Sequence, residues 1–243
     1  MTSTVFTDLQ KRSKGFVSGL RAQESGIDGA LLVTGSYHVD AYKDALFSSL
    51  GIACPDRIMR AVAKRKADYL AGRSIAQAAM MALDAPPAPI TTAPSRAPVW
   101  PQGLTGSISH ARGRCACMLS RNTDQFYGVD TEAIASGASL TAIRSETLTA
   151  QDRTAITKGD LPPAIKATLV FSAKEALFKA LHPRVDRYFG FDCAELVAAP
   201  TQNMMRLRLT TDLAIGIRTG DTFPIRFEYT DTHVLTWLAV PSA

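Results

Sequence analysis

Two short stretches carry acids and bases at spacings that suit chemistry on phosphates. In Phe171-Ser172-Ala173-Lys174-Glu175-Ala176-Leu177-Phe178-Lys179-Ala180-Leu181, Glu175 and Lys179 stand four residues apart. Ile165, Leu169, Ala173, Leu177 and Leu181 recur every four residues through the same segment, which is the buried stripe of an amphipathic helix. Pro162-Pro163 suits its first turn. Lys174, Glu175, Phe178 and Lys179 fall off the stripe, and Glu175 and Lys179 neighbour each other on one face. A plain surface ion pair has the same spacing and contributes roughly a few tenths of a kcal/mol. The second stretch is Gly128-Val129-Asp130-Thr131-Glu132, after Gln125-Phe126-Tyr127. It reads as the end of a strand, where alternation puts Asp130 and Glu132 on one side. Two carboxylates on one face repel unless a cation sits between them. Magnesium takes oxygen ligands of this kind together with substrate phosphates. A solvated strand end with two surface acids shares this pattern.

Found together and in this order, GVDTE and FSAKEALFKAL resemble the signature of the phosphopantetheinyl transferases of the surfactin and enterobactin type. That signature is G-[IV]-D-x-E, followed further along the chain by [FW]-[SC]-x-K-E-[AS]-x-x-K. Trp100–His110 (WPQGLTGSISH) and Lys64–Arg73 (KRKADYLAGR) resemble the enterobactin-type branch, and the matched blocks run from about residue 57 to Phe191. The resemblance implies the α+β 4′-phosphopantetheinyl transferase fold, with two similar α+β halves in a pseudo-twofold arrangement. It also implies a reaction: 4′-phosphopantetheine moves from coenzyme A, the co-substrate, to a serine of an acyl or peptidyl carrier protein. Adenosine 3′,5′-bisphosphate leaves, and Mg2+ assists. Siderophore, polyketide or nonribosomal peptide assembly would be the setting.

The resemblance also implies roles for single residues. Asp130, Glu132 and Glu175 become metal ligands with Thr131 beside them. Glu175 becomes the base for the carrier serine, directly or through a water. Lys179 binds a phosphate and offsets charge on the leaving group, and Lys174 orients the pyrophosphate. Arg65, Arg73 and His110, with Ser109 next to it, belong to coenzyme A binding. Relatives place a lysine in a proline-rich loop where this chain has Thr92, so Arg96 becomes the substitute cation. Phe189 is either a ligand contact or a plain core aromatic. Two other readings use the same residues: a metal-dependent phosphoesterase, and a non-catalytic coenzyme A-binding protein. The second would be expected to have lost an acid, yet Asp130, Glu132 and Glu175 are all present. A serine hydrolase built on Ser109-His110 is disfavoured, because adjacent strand residues point to opposite sides.

The elements that must position these residues follow from local patterns. Gly29–Val33 predicts a strand and Asp40–Leu50 contains a short helix. Pro55 opens a helix predicted to run to about Leu83. Ile58, Val62, Leu70 and Ala78 form its apolar side, and Arg57, Arg60 and Lys64 share another face. Arg65 and Arg73, eight apart, lie roughly 80° from each other around such a helix and can converge on one ligand. Asp84–Pro98 is proline-rich and reads as an irregular surface segment. Gly106–His110 leads into Cys115–Ser120 as a β pattern with a turn at Arg121–Asp124. Ser139–Leu148 suggests a helix, Thr149 a cap for the next, and the central helix is predicted to end near His182-Pro183. Met205–Leu209, Ile225–Tyr229 and Val234–Leu238 alternate as antiparallel strands with one solvated face. The order argues for α+β, with a boundary near Asp124: an N-terminal half, 1–124, and a C-terminal half, 125–243, carrying the metal and catalytic motifs.

The 243 residues are 46% hydrophobic, enough for one large core or two small ones. The net charge of +5 suits an anionic partner. No nucleic-acid module accompanies it, so a phosphate ligand and an acidic protein are the expected partners. Cys54, Cys115, Cys117 and Cys193 lack zinc spacing and read as reduced and structural. No segment approaches the ~18 apolar residues of a membrane span and no signal peptide is evident. A cytoplasmic monomer is the expectation.

Overall fold

Two antiparallel sheets, each with one long helix laid against it, form the framework of the fold. The computed structural model describes residues 2–201 and 203–242. Contacts divide it into two units, Met1–Thr123 and Asp124–Ala243. No helix of the described residues is long and apolar enough to cross a membrane.

The first unit runs α1 (Thr2–Arg12), β1 (Val17–Glu24), β2 (Ala30–Tyr37), α2 (Ala45–Leu50), α3 (Asp56–Met59), α4 (Ala63–Ala82), β3 (Thr91–Thr92), β4 (Pro98–Val99), β5 (Thr105–Ala111) and β6 (Arg114–Ser120). Its main sheet has the order β1-β2-β6-β5. Leu70, Ile75 and Ala79 of α4 are buried in one core with Phe16, Val33 and Cys117. Gly72 lets α4 lie close to β5: a Cβ there would come 3.3 Å from Ile108 and 3.5 Å from His110.

Three expectations are corrected in this unit. The helix predicted from Pro55 to about Leu83 is two helices, broken between Met59 and Ala63. Val62 is extended (ψ 154°) at the start of α4. An unbroken helix would put Ile58 and Val62 on one face; the break buries Ile58 and leaves Val62 75% exposed. Arg57, Arg60 and Lys64 accordingly do not share one helix. The segment 84–98 is not wholly irregular, since β3 and β4 pair through Thr91–Val99 and Thr92–Pro98. Finally, Cys115–Ser120 pairs backwards with β5 across Arg112-Gly113, both at positive φ. The turn at Arg121–Asp124 leads out of this sheet instead.

The second unit runs β7 (Gln125–Ala133), α5 (Gly137–Ala142, continuing as a π-turn to Thr147), α6 (Ala150–Ala155), α7 (Pro163–Val185), β8 (Ala194–Leu196), β9 (Met204–Leu209), β10 (Thr222–Tyr229) and β11 (His233–Pro241). The sheet order is β7-β11-β10-β9-β8. Leu169, Ala173, Leu177 and Leu181 are buried as one stripe of α7, packed with Phe227 and Leu238 of the sheet. The strand alternation is clear in β9, where Met205, Leu207 and Leu209 are buried while Arg206 and Arg208 are exposed. The predicted end of α7 at His182-Pro183 comes early. Pro183 sits in the last turn, where only one upstream hydrogen bond is forfeited. The helix stops after Val185, where Asp186 turns left-handed at φ 48°.

Candidate active site

β7 and α7 are pressed together at Gly128. A Cβ on Gly128 would stand 1.9 Å from the Ala176 carbonyl oxygen, so only glycine permits this approach. Asp130 lies on the same strand face and is 3% exposed. Its Oδ1 accepts from Lys179 Nζ at 2.7 Å and its Oδ2 from Ser172 Oγ at 2.8 Å. Lys179 Nζ also donates to the Val129 carbonyl at 3.0 Å. Ser172 Oγ shares a 2.9 Å hydrogen bond with Thr236 Oγ1, and Thr236 is the β11 partner of Asp130 in register. Glu175 is half-buried, one helical turn before Lys179. Burial pushes its carboxyl pKa up, the Asp130 charge adds to this, and Lys179 pulls it down. Asp130, Glu175 and Lys179 therefore form one electrostatic group.

A hard divalent cation fits the chemistry of this donor set. Asp130 and Glu175 offer carboxylate oxygens, and the Asp130 charge disfavours ionisation of Glu175, which a cation would offset. Among the described residues no three His, Cys, Asp or Glu side chains meet as a ready cation cluster. Glu132 follows Asp130 by two residues on β7 and lies on the same strand face. The Thr131 side chain lies on the opposite strand face, where its hydroxyl donates to Val234 O at 3.0 Å; only its backbone remains on offer.

In the first unit, Arg73 is 8% exposed. Its Nη2 donates to Thr92 Oγ1 at 2.9 Å and Thr91 O at 3.1 Å, and its guanidinium lies 4.7 Å over the Tyr69 ring. Arg73 Nε is buried with no protein partner. Arg73, Arg57, Gln77 and Thr92 line a cavity of about 290 Å³ whose walls include Tyr69 and Ile90 and contain no acid. His110 is half-exposed on β5 near Asp68. Burial would raise the Asp68 carboxyl, but Lys64, Tyr37 and His110 together hold it below the usual range.

Comparison with known proteins bears on both units. Residues 55–120 match the 4′-phosphopantetheinyl transferase N-terminal domain, and residues 127–235 match the 4′-phosphopantetheinyl transferase superfamily. The 4′-phosphopantetheinyl transferase Svp of Streptomyces mobaraensis is 30% identical over 220 residues, covering 87% of this chain and 88% of that one. The chain belongs to the 4′-phosphopantetheinyl transferase family. Enterobactin synthase component D of Salmonella typhi is 37% identical over 143 residues, a match spanning 59% of each chain. The 4′-phosphopantetheinyl transferase PptT of Mycobacterium tuberculosis is 34% identical over 147 residues, 57% of this chain and 61% of that one.

In this phosphopantetheinyl transferase family member, several expected ligand residues are placed otherwise. Lys174 is 4% exposed and spends its ammonium on Asp152 Oδ2 at 2.5 Å, Phe191 O at 2.9 Å and Thr147 O at 3.0 Å. Three donors are all a lysine has, so none is left to orient a pyrophosphate. Burial lowers its pKa while Asp152 opposes the fall. Asp152, fully buried, also accepts from the backbone of Thr149 at 2.8 Å and Leu196 at 2.6 Å. A sequence signal marks this acid: Thr149 and Asp152 form a capping box. Phe189 is 8% exposed, its ring 4.8 Å from that of Phe178, which makes it a core aromatic. Arg96 is exposed at the β3–β4 turn with φ 72°, and Arg65 is exposed on α4; neither lines the Arg73 cavity. Thr92 anchors Arg73 from the loop. Ser109 is buried on β5. Ser172 and Thr236, which fix Asp130, carry no signal of that role in the sequence.

Proposed function

We propose that this chain transfers 4′-phosphopantetheine from coenzyme A to a serine hydroxyl of an acyl or peptidyl carrier protein, in siderophore, polyketide or nonribosomal peptide assembly. The observation that carries the reading is the convergence of Asp130, Glu175 and Lys179 where α7 meets β7, in a chain of this family. The serine oxygen attacks the phosphorus bearing pantetheine, and the bond from that phosphorus to the bridging oxygen breaks. Adenosine 3′,5′-bisphosphate departs. Glu175, whose carboxyl pKa is raised by burial and by Asp130, takes the serine proton. Lys179 offsets charge on the departing bisphosphate. Asp130 and Glu175, with Glu132 two residues further along β7, would hold magnesium, which supplies charge neutralisation of the pyrophosphate when bound. Arg73, with an unused buried Nε, binds a nucleotide phosphate from the cavity it lines, while Arg65 and His110, outside that cavity, contact other parts of coenzyme A.

Chromatography of the nucleotide product tests this. Adenosine 3′,5′-bisphosphate should appear only when coenzyme A, an unmodified carrier and Mg2+ are all present. Its release without any carrier would favour phosphoester hydrolysis and sink the proposal.

A further inference from the structure

Lys179 occupies the place where a cation is wanted. Its ammonium donates to Asp130 Oδ1 at 2.7 Å, with 27% of the lysine side chain and 4% of the aspartate side chain exposed. A buried carboxylate without a counter-charge is costly, and the ammonium at this distance supplies that counter-charge to Asp130. The two oxygens of Asp130 are held differently. Oδ2 is fixed by Ser172, itself bonded to Thr236 in the neighbouring strand. Oδ1 is held by a partly exposed group on a flexible four-carbon stem. Lys174, five residues earlier, shows the contrast: its side chain is 2% exposed and all its donors are spent inside the fold.

We propose that Lys179 is the resident counter-cation of the Asp130–Glu175 pair, that a divalent ion displaces it from Asp130 Oδ1, and that the ammonium so released turns to the substrate phosphate. Ser172 and Thr236 keep Asp130 oriented during the exchange. The inference rests on the metal and phosphate reading above and deepens it. It makes cation binding and phosphate binding mutually reinforcing, because each favours the state in which Lys179 has left Asp130.

Binding of Mn2+ as the probe, followed by the electron paramagnetic resonance of free Mn2+ without coenzyme A, tests this on the full chain. Lys179→Met should bind Mn2+ at least about tenfold more tightly than the wild type, a change of about 1.4 kcal/mol. Lys179→Arg, which keeps the charge, should stay near the wild-type affinity, and Asp130→Asn should bind more weakly. The gain in Lys179→Met should persist at high salt, where a merely long-range charge effect is screened. Circular dichroism and thermal melting check that each variant is folded. Unchanged or weaker binding in folded Lys179→Met, with Asp130→Asn weakened, would overturn the counter-cation role and leave the metal reading standing. Equal affinity in wild type and Asp130→Asn would overturn both.

Discussion

Asp130 is gripped at each oxygen, and the two grips can be cut separately. Ser172→Ala removes the 2.8 Å hydrogen bond to Oδ2 without touching a reacting atom. Groups that orient a metal ligand commonly matter by about 10- to 100-fold. Ser172→Ala should therefore lower the proposed transfer by about tenfold, shifting magnesium dependence upward, while Asp130→Asn abolishes it. Titrating Mg2+ in both variants reads the difference. The cysteines give a second expectation. Burial pushes the Cys115 thiol up to about 12, and raises Cys117 further with help from Cys115. At pH 8 a thiol of pKa about 12 is ionised to roughly one part in ten thousand. Iodoacetamide should thus leave Cys115 and Cys117 unmodified in the native protein at that pH and label all four cysteines after unfolding; peptide mass mapping decides it. At this scale the sequence exposes what a motif can hold. Asp130, Glu175 and Lys179 are readable from spacing and resemblance. Ser172 and Thr236 are not, because a hydroxyl's role depends on what the fold brings to it from another strand. The role of Lys174 is hidden for the same reason, since its partner Asp152 lies 22 residues upstream.

The contact between α7 and β7 is the element on which the site depends. Gly128→Ala would force a Cβ to within 1.9 Å of the Ala176 carbonyl, a backbone atom that cannot step aside as a side chain can. The expected cost is about 3 kcal/mol, the upper part of the usual range for overpacking, measurable by urea unfolding. Activity should fall with it as Asp130 is pushed off α7. Lys174→Met leaves Asp152 as a buried charge without its cation, a loss of about 3–5 kcal/mol. Lys174→Met paired with Asp152→Asn, which removes the charge and keeps an acceptor for the Leu196 N–H, should recover part of that stability, whereas a pyrophosphate-binding role for Lys174 predicts no such recovery. The elements themselves are legible in proportion to their regularity. The four-residue repeat of α7 and the two-residue alternation of β9 survive in the fold. The break between α3 and α4 does not show in the sequence, because Ile58 and Val62 fit an unbroken helix; the choice between them is made by packing, which buries only Ile58.

Over the whole molecule, each unit has its own core and its own share of the chemistry. The first presents an acid-free cavity with Arg57 and Arg73 on its walls, in keeping with the +5 net charge and an anionic ligand. The second gathers carboxylates and a lysine where α7 packs on β7. Together these are the requirements of phosphoryl transfer, which needs positioning and charge neutralisation more than covalent help. Family membership can be read from two motifs standing in the right order, while the cavity around Arg73 needs the loop pairing of β3 and β4 to appear. The measurement that tests the central claim most directly is the intact mass of an unmodified carrier protein after incubation with this protein, coenzyme A and Mg2+. The account predicts a gain of one phosphopantetheine on the carrier serine, absent with Glu175→Gln. A carrier of unchanged mass, tested across carriers of siderophore, polyketide and nonribosomal peptide type, would contradict it.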